Sequence, residues 1–273
     1  MTSDKTAAEA ALTRLLDIME RLRAPDGCAW DREQTPASLK PQLLEECYEV
    51  LEAIDSGSAP HLTEELGDLL LHVIFQAQIA REAGQFDFAA VAEGVADKLV
   101  RRHPHVFGED RTDDPDKIVA RWNELKKLEK PERQSVLDGV PRALPALMRA
   151  EALQKKARQV GFDWPDVAGS LDKVREETAE VAAEIELVRA GQAEANARLG
   201  EEIGDLLFSV VNLARHLKLN AEELLTGASD KSVLRFTSME QAAKAQGRDM
   251  SELSLDELDA LWIQAKDMSR KRR

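Results

Sequence analysis

Apolar residues recur three and four positions apart along almost the whole chain, and β-branched runs with period-two alternation are absent. That pattern predicts an all-α protein. Helices are predicted over residues 7–24, 36–56, 62–83, 87–101, 114–129, 143–159, 167–191, 195–217, 221–245 and 254–270, with Pro25, Gly27, Pro60, Gly108 and Gly161 as punctuation. Between Pro131 and Pro145 three prolines and a glycine disfavour continuous helix. We therefore expect two helical domains, residues 1–130 and 148–273, joined by a linker over 131–147.

The two halves repeat one order of motifs. Glu45-Glu46-Cys47-Tyr48-Glu49 precedes Glu64-Glu65-Leu66-Gly67-Asp68, and Glu176-Glu177-Thr178-Ala179-Glu180 precedes Glu201-Glu202-Ile203-Gly204-Asp205. A Trp-Asp or Asp-Trp pair, Trp30-Asp31 and Asp163-Trp164, stands before each first acidic helix. Downstream, Lys98 and Arg102 match Lys231 and Arg235, while Trp122 and Lys126 match Trp262 and Lys266. The second half carries six more residues between its acidic motifs than the first.

At about 100° per residue, Leu39, Leu43, Leu44, Cys47, Val50, Leu51 and Ile54 form one apolar arc, with Glu46 at its edge and Glu49 further round. Glu177 borders the stripe of Leu171, Val174, Val181, Ile185 and Val188 in the same way, with Glu180 beside it. The second acidic helix is apolar around nearly its whole circumference and is expected to be largely buried. Its only polar stripe is Glu65, Asp68, His72 and Gln76, matched by Glu202, Asp205, Ser209 and Asn212. Ionised carboxylates there are costly unless paired or metal-bound. No lysine or arginine occurs between Lys40 and Arg81, so a divalent cation is the economical partner. An oxygen-only set suits Mg²⁺, or Mn²⁺ as a substitute. The Glu-x-x-His of di-iron bundles is absent around all five histidines, which disfavours iron. Phosphate-loop, dinucleotide and serine-hydrolase motifs are also missing.

The chain has 273 residues and a formal net charge of −14. Such a polyanion repels nucleic acid and anionic membrane, and no apolar run approaches the roughly 18 residues of a span. Cys28 and Cys47 lack metal spacing and read as reduced packing residues, and a cytoplasmic location is expected. Trp30 and Trp164 read as packing residues at turns, and His72 as a hydrogen-bonded histidine beside the carboxylates.

CAWDREQTPASL (28–39), EECYEVLEAI (45–54), EELGDLLLHVIFQAQIA (64–80), KLVRRHPHVFG (98–108), VGFDW (160–164) and EEIGDLLF (201–208) together resemble the MazG nucleoside triphosphate pyrophosphohydrolases. The resemblance implies two tandem MazG-type helical bundles, a homodimer, and Mg²⁺-dependent cleavage of NTPs or dNTPs to nucleoside monophosphate and pyrophosphate, as in house-cleaning of nucleotide pools. Carried over by motif, the metal ligands are Glu177, Glu180, Glu202 and Asp205, and in the first half Glu46, Glu49, Glu65 and Asp68. The implied nucleotide contacts are Lys173, Arg198, Lys231, Arg235 and Trp262, with Lys98, Arg102 and Trp122 as first-half counterparts. Glu176 or Glu177 would orient or deprotonate the attacking water, Lys231 and Arg235 would neutralise the leaving pyrophosphate, and Trp262 would stack on the base. The second half is expected to carry most of the hydrolysis. The alternatives are a narrower dUTP or phosphoribosyl-ATP type pyrophosphohydrolase and a non-catalytic nucleotide-binding module.

Overall fold

A computed structural model describes residues 2–109, 111–129, 134–192 and 194–271, and among them no strand is present. The chain divides into two compact units, Met1–Pro131 and Glu132–Arg273.

The first unit contains α1 (Thr2–Arg23), α2 (Ala29–Glu33), α3 (Lys40–Ser56), α4 (Ala59–Glu82), α5 (Phe88–Arg102), α6 (Pro104–Phe107) and α7 (Pro115–Leu128). The second contains α8 (Ala146–Arg158), α9 (Val167–Arg189), α10 (Ala195–His216), α11 (Ala221–Ala245), a 3₁₀ turn (Met250–Glu252) and α12 (Leu255–Lys271). The helix predicted from residue 36 begins at Lys40 instead. Pro41 fits only the first turn of a helix, and Thr35 and Ser38 bond each other's backbone in a separate turn. The short helices α2 and α6 were not expected. The linker expected over 131–147 begins in residues outside the described set, and Asp138 closes a turn by accepting from the backbone of Gln134 and Ser135.

In each unit the two acidic helices form the main antiparallel pair. Gly57, at a φ of 66°, turns the chain from α3 to α4 in the left-handed conformation that glycine tolerates, and Ser58 caps α4 by accepting from the His61 N–H. Met19, Leu39, Ile74 and Phe75 form the first core, each burial contributing roughly 1.5–3 kcal/mol. In the second unit Val211, Ala214 and Ala221 pack with Leu147 and Ala150, while Met239, Ala243, Leu261 and Ala265 join α11 to α12.

Three expectations about burial are corrected. The second acidic helix is not buried all round: Leu66, Leu70 and Val73 of α4, and Ile203, Leu207 and Val210 of α10, are exposed, with Leu207 at 55%. Within each unit, α4 packs on α1, α3 and α5, and α10 on α8, α9 and α11, and these neighbours leave those side chains uncovered. On α3 the predicted apolar arc is likewise half open, since Leu44, Leu51, Ile54 and Cys47 are exposed. Nor are the turn tryptophans sealed into a core, since Trp30 and Trp164 remain about half exposed.

Candidate metal and nucleotide site

The pairing of α3 with α4 brings carboxylates from both helices together. One oxygen each of Glu46, Glu49 and Glu65 lies within 4.8 Å of the others. Burial, followed by the charges of Glu49, Asp68 and Glu65, pushes the Glu46 carboxyl above its usual range, so Asp68 belongs to the same electrostatic group. In the second unit one oxygen each of Glu177, Glu202 and Asp205 lies within 4.8 Å of the others. Burial and then the charges of Glu177 and Glu202 push the exposed Glu180 upward as well. All eight carboxylates read from the sequence therefore fall into two groups, six of them in the tight trios.

The cations around the two groups differ. Glu177 is only 4% exposed, and Lys173 Nζ donates to its Oε1 at 2.6 Å and to Glu176 at 2.9 Å. These bonds hold the Lys173 ammonium protonated well above the ordinary lysine range. Four residues before Glu46 the first unit has Gln42, whose buried Oε1 lacks a partner. Four residues before Glu65 stands His61, 3.2 Å from that carboxylate, whereas its register mate Arg198 turns to Glu184. His72 Nε2 lies 3.9 Å from Glu46, and burial, partly offset by Asp68, pulls the imidazole below its usual pKa.

The donor sets fit a hard divalent cation. They contain only carboxylate oxygens, and in each unit one buried oxygen, Oε2 of Glu46 and Oε2 of Glu177, has no hydrogen-bond partner. A buried carboxylate oxygen without a partner is costly, and a bound cation removes that cost.

The downstream pairs also meet. Arg102 lies over Trp122 at 5.2 Å and Arg235 over Trp262 at 5.6 Å, so the same contact recurs in both repeats. Lys98 is half-buried on α5, and Lys231 is exposed one turn before Arg235. Three features escaped the sequence reading. Arg102 is held by Glu129, and Arg23 lies over Phe75. Asp163 accepts from both Arg215 and His216. Burial drives the Asp163 carboxyl up, yet those donors outweigh it and hold it below the usual range. Only the repeat register, compared position by position, would have exposed the Gln42 and His61 differences.

Two tandem helical units, each presenting a carboxylate group from a helix pair, define the class of all-α nucleotide pyrophosphohydrolases. The MazG nucleotide pyrophosphohydrolase domain matches residues 34–107 and 157–237, and the chain belongs to that family. It is 46% identical to the nucleoside triphosphate pyrophosphohydrolase of Escherichia coli (strain K12), covering 93% of this chain and 97% of that protein. It is 45% identical to the nucleoside triphosphate pyrophosphohydrolase/pyrophosphatase MazG of Thermotoga maritima, covering 92% and 94%. Among the described residues no helix is long and apolar enough to cross a membrane.

Proposed function

We propose that this protein hydrolyses nucleoside triphosphates to nucleoside monophosphate and pyrophosphate with Mg²⁺, replaceable by Mn²⁺, and that the second unit carries most of the turnover. The observation that carries this reading is the buried Glu177, with one oxygen on Lys173 and the other unpartnered beside Glu202 and Asp205. Glu177, Glu180, Glu202 and Asp205 would hold the cation there, and Glu46, Glu49, Glu65 and Asp68 in the first unit. The bound ion would neutralise phosphate oxygens and lower the pKa of a bound water.

The chain's own groups supply the rest. Glu176, exposed at the rim and tied only to Lys173 among the described residues, orients the attacking water or takes its proton, with Glu177 as the other candidate. Lys173, now on Glu177, would offer its positive charge to the triphosphate if a cation held that carboxylate instead. Lys231 and Arg235 neutralise the departing pyrophosphate, and Trp262, with the Arg235 guanidinium 5.6 Å from its ring centre, offers its ring for stacking on the base. Arg198 stands further off on Glu184, and Lys98, Arg102 and Trp122 form the first-unit counterpart.

We further read the domain boundary as 1–130 and 148–273 with the linker between, and the protein as a cytoplasmic homodimer. The apolar rows of α4 and α10 left open in one chain support a second copy as the covering partner. Incubation with each NTP and Mg²⁺ followed by product separation tests the activity. NMP plus pyrophosphate is expected, and NDP plus orthophosphate refutes it.

A further inference from the structure

The two carboxylate groups share one register, yet they do not offer a cation the same donors. Four residues past Asp68 stands His72, whereas four residues past Asp205 the second unit has Ser209. Residues four apart lie on the same helix face, so the first unit carries an imidazole at the edge of its carboxylates where the second carries a hydroxyl.

That imidazole is only 7% exposed. Its Nδ1 is buried without a hydrogen-bond partner, and Nε2 faces Glu46 Oε1 at 3.9 Å, beyond hydrogen-bond range. Glu46 Oε2, on the same carboxylate, is also buried and unpartnered. Polar atoms enclosed in this way cost free energy unless a partner takes them up. The spacing suits one ion between them. Ligand atoms at about 2.0–2.2 Å from a common cation stand no more than about 4.4 Å apart, whereas a hydrogen bond would have drawn the pair to about 3 Å.

The surroundings also leave the first group more open to a cation. Among the described residues no lysine or arginine pairs with Glu46, Glu49, Glu65 or Asp68, while in the second unit Lys173 stands 2.6 Å from Glu177. His61 Nε2 lies 3.2 Å from Glu65 Oε1 and orients that carboxylate from behind. Donor chemistry then decides the ion. Mg²⁺ takes oxygen ligands and keeps much of its water, whereas an imidazole nitrogen raises affinity for borderline ions such as Co²⁺ and Zn²⁺. Three carboxylates and one imidazole make a four-ligand set of the kind zinc accepts.

We infer that the first unit is a transition-metal site, in which His72 together with Glu46, Glu49 and Glu65 binds Zn²⁺ or a like ion in preference to Mg²⁺. This rests on the reading of the first-unit carboxylates as a cation group, and names the ion they select. The second unit, with Ser209 in place of the imidazole, keeps an oxygen-only set, so one chain takes two different ions from the same solution.

The test uses Co²⁺, a spectroscopic stand-in for Zn²⁺, added to the full chain carrying Glu177→Gln so that only the first carboxylate group is intact. Competition calorimetry is expected to show Co²⁺ bound about 100-fold more tightly than Mg²⁺, and proton NMR a far-downfield, solvent-exchangeable resonance from a metal-bound imidazole. Adding His72→Gln is expected to remove that resonance and to weaken Co²⁺ binding about tenfold, with Mg²⁺ binding held within roughly threefold. Adding His61→Gln instead is expected to keep the resonance. The resonance is read without any change at position 72, so the test stands even if the His72 variant fails to fold. Co²⁺ bound without an imidazole signal overturns the inference and leaves the first unit an oxygen-only group. Survival of the signal in His72→Gln, or its loss in His61→Gln alone, overturns it as well. Failure of either ion to bind the Glu177→Gln chain overturns the cation reading of the first-unit carboxylates along with the inference.

Discussion

Arg102 and Glu129 form a forked ion pair in which Arg102 Nε lies 3.2 and 3.1 Å from the two carboxylate oxygens, a second guanidinium nitrogen donates to Oε2, and Arg101 adds a bond at 2.8 Å. In the same place of the second repeat, Arg235 Nε has no hydrogen-bond partner among the described residues. An internal carboxylate thus sits where the first unit would meet a phosphate, while the second unit's arginine keeps donor capacity.

Replacing Glu129 by Gln is expected to free Arg102 and to tighten nucleotide-analogue binding to the first unit at least fivefold, measured in a Glu177→Gln background. The hydrogen bonds from Arg102 and then Arg101 hold the Glu129 carboxyl at about 2. A folded-state value below the unfolded one gives stability that is present above the usual carboxylate range and lost as pH falls through about 2. The effect of the substitution is therefore expected to be the same at pH 5 and pH 8; a marked difference between them would contradict this account.

Glu177→Ala and Glu46→Ala separate the two units. The first is expected to lower NTP turnover at least 100-fold and the second less than threefold, read as pyrophosphate release under saturating Mg²⁺. Full activity in Glu177→Ala would move the chemistry to the first unit.

Lys173 Nζ lies 2.6 Å from Glu177 Oε1, so on the proposed function it would compete with a cation there and offer its charge to phosphate. Lys173→Met is expected to tighten Mn²⁺ binding several-fold by paramagnetic titration while raising KM for NTP about tenfold. A parallel weakening of both would show that the lysine only holds the helix surface in place.

Burial and then like charges raise the Glu46 and Glu180 carboxyls. A raised folded-state value means the folded chain binds more protons, so without cation stability falls as pH climbs from the usual carboxylate range through the raised values. A cation at about 100 times its Kd adds roughly 2.7 kcal/mol. The rise in melting temperature on exchanging EDTA for Mg²⁺ is expected to be larger at pH 7.5 than at pH 5, and equal shifts would show that the carboxylates do not bind it.

Gly169 lies under the Trp164 ring, where a Cβ would stand 2.8 Å from Cε3. Gly169→Ala is expected to displace Trp164 at a cost of about 1–3 kcal/mol, seen as a lower denaturant midpoint and altered tryptophan fluorescence.

Much of this was legible in the sequence because helical periodicity and a duplicated motif are local signals. Glu46, Glu65, Glu177 and Glu202 could be placed on helix faces from spacing alone, while α1 starts earlier than its apolar pattern, at Thr2, and α3 starts later, at Lys40, where Pro41 forbids an earlier start. What escaped depends on contacts far apart in the chain. Arg23 reaches Glu82 across 59 residues, Asp163 reaches Arg215 across 52, and Arg102 reaches Glu129 across 27. Nothing in the periodicity marks such partners. The burial expected for α4 and α10 failed because an apolar circumference says how much surface wants covering, without saying whether the same chain supplies the cover.

Carrying both copies in one polypeptide has a consequence for how they evolve. An assembly of identical single modules must receive any substitution at every site simultaneously, so a change that silences one pocket silences all of them. Here Gln42 and His61 diverge from Lys173 and Arg198 without touching the other copy. Duplication has thus freed one bundle to specialise while its sibling stays under the original constraint.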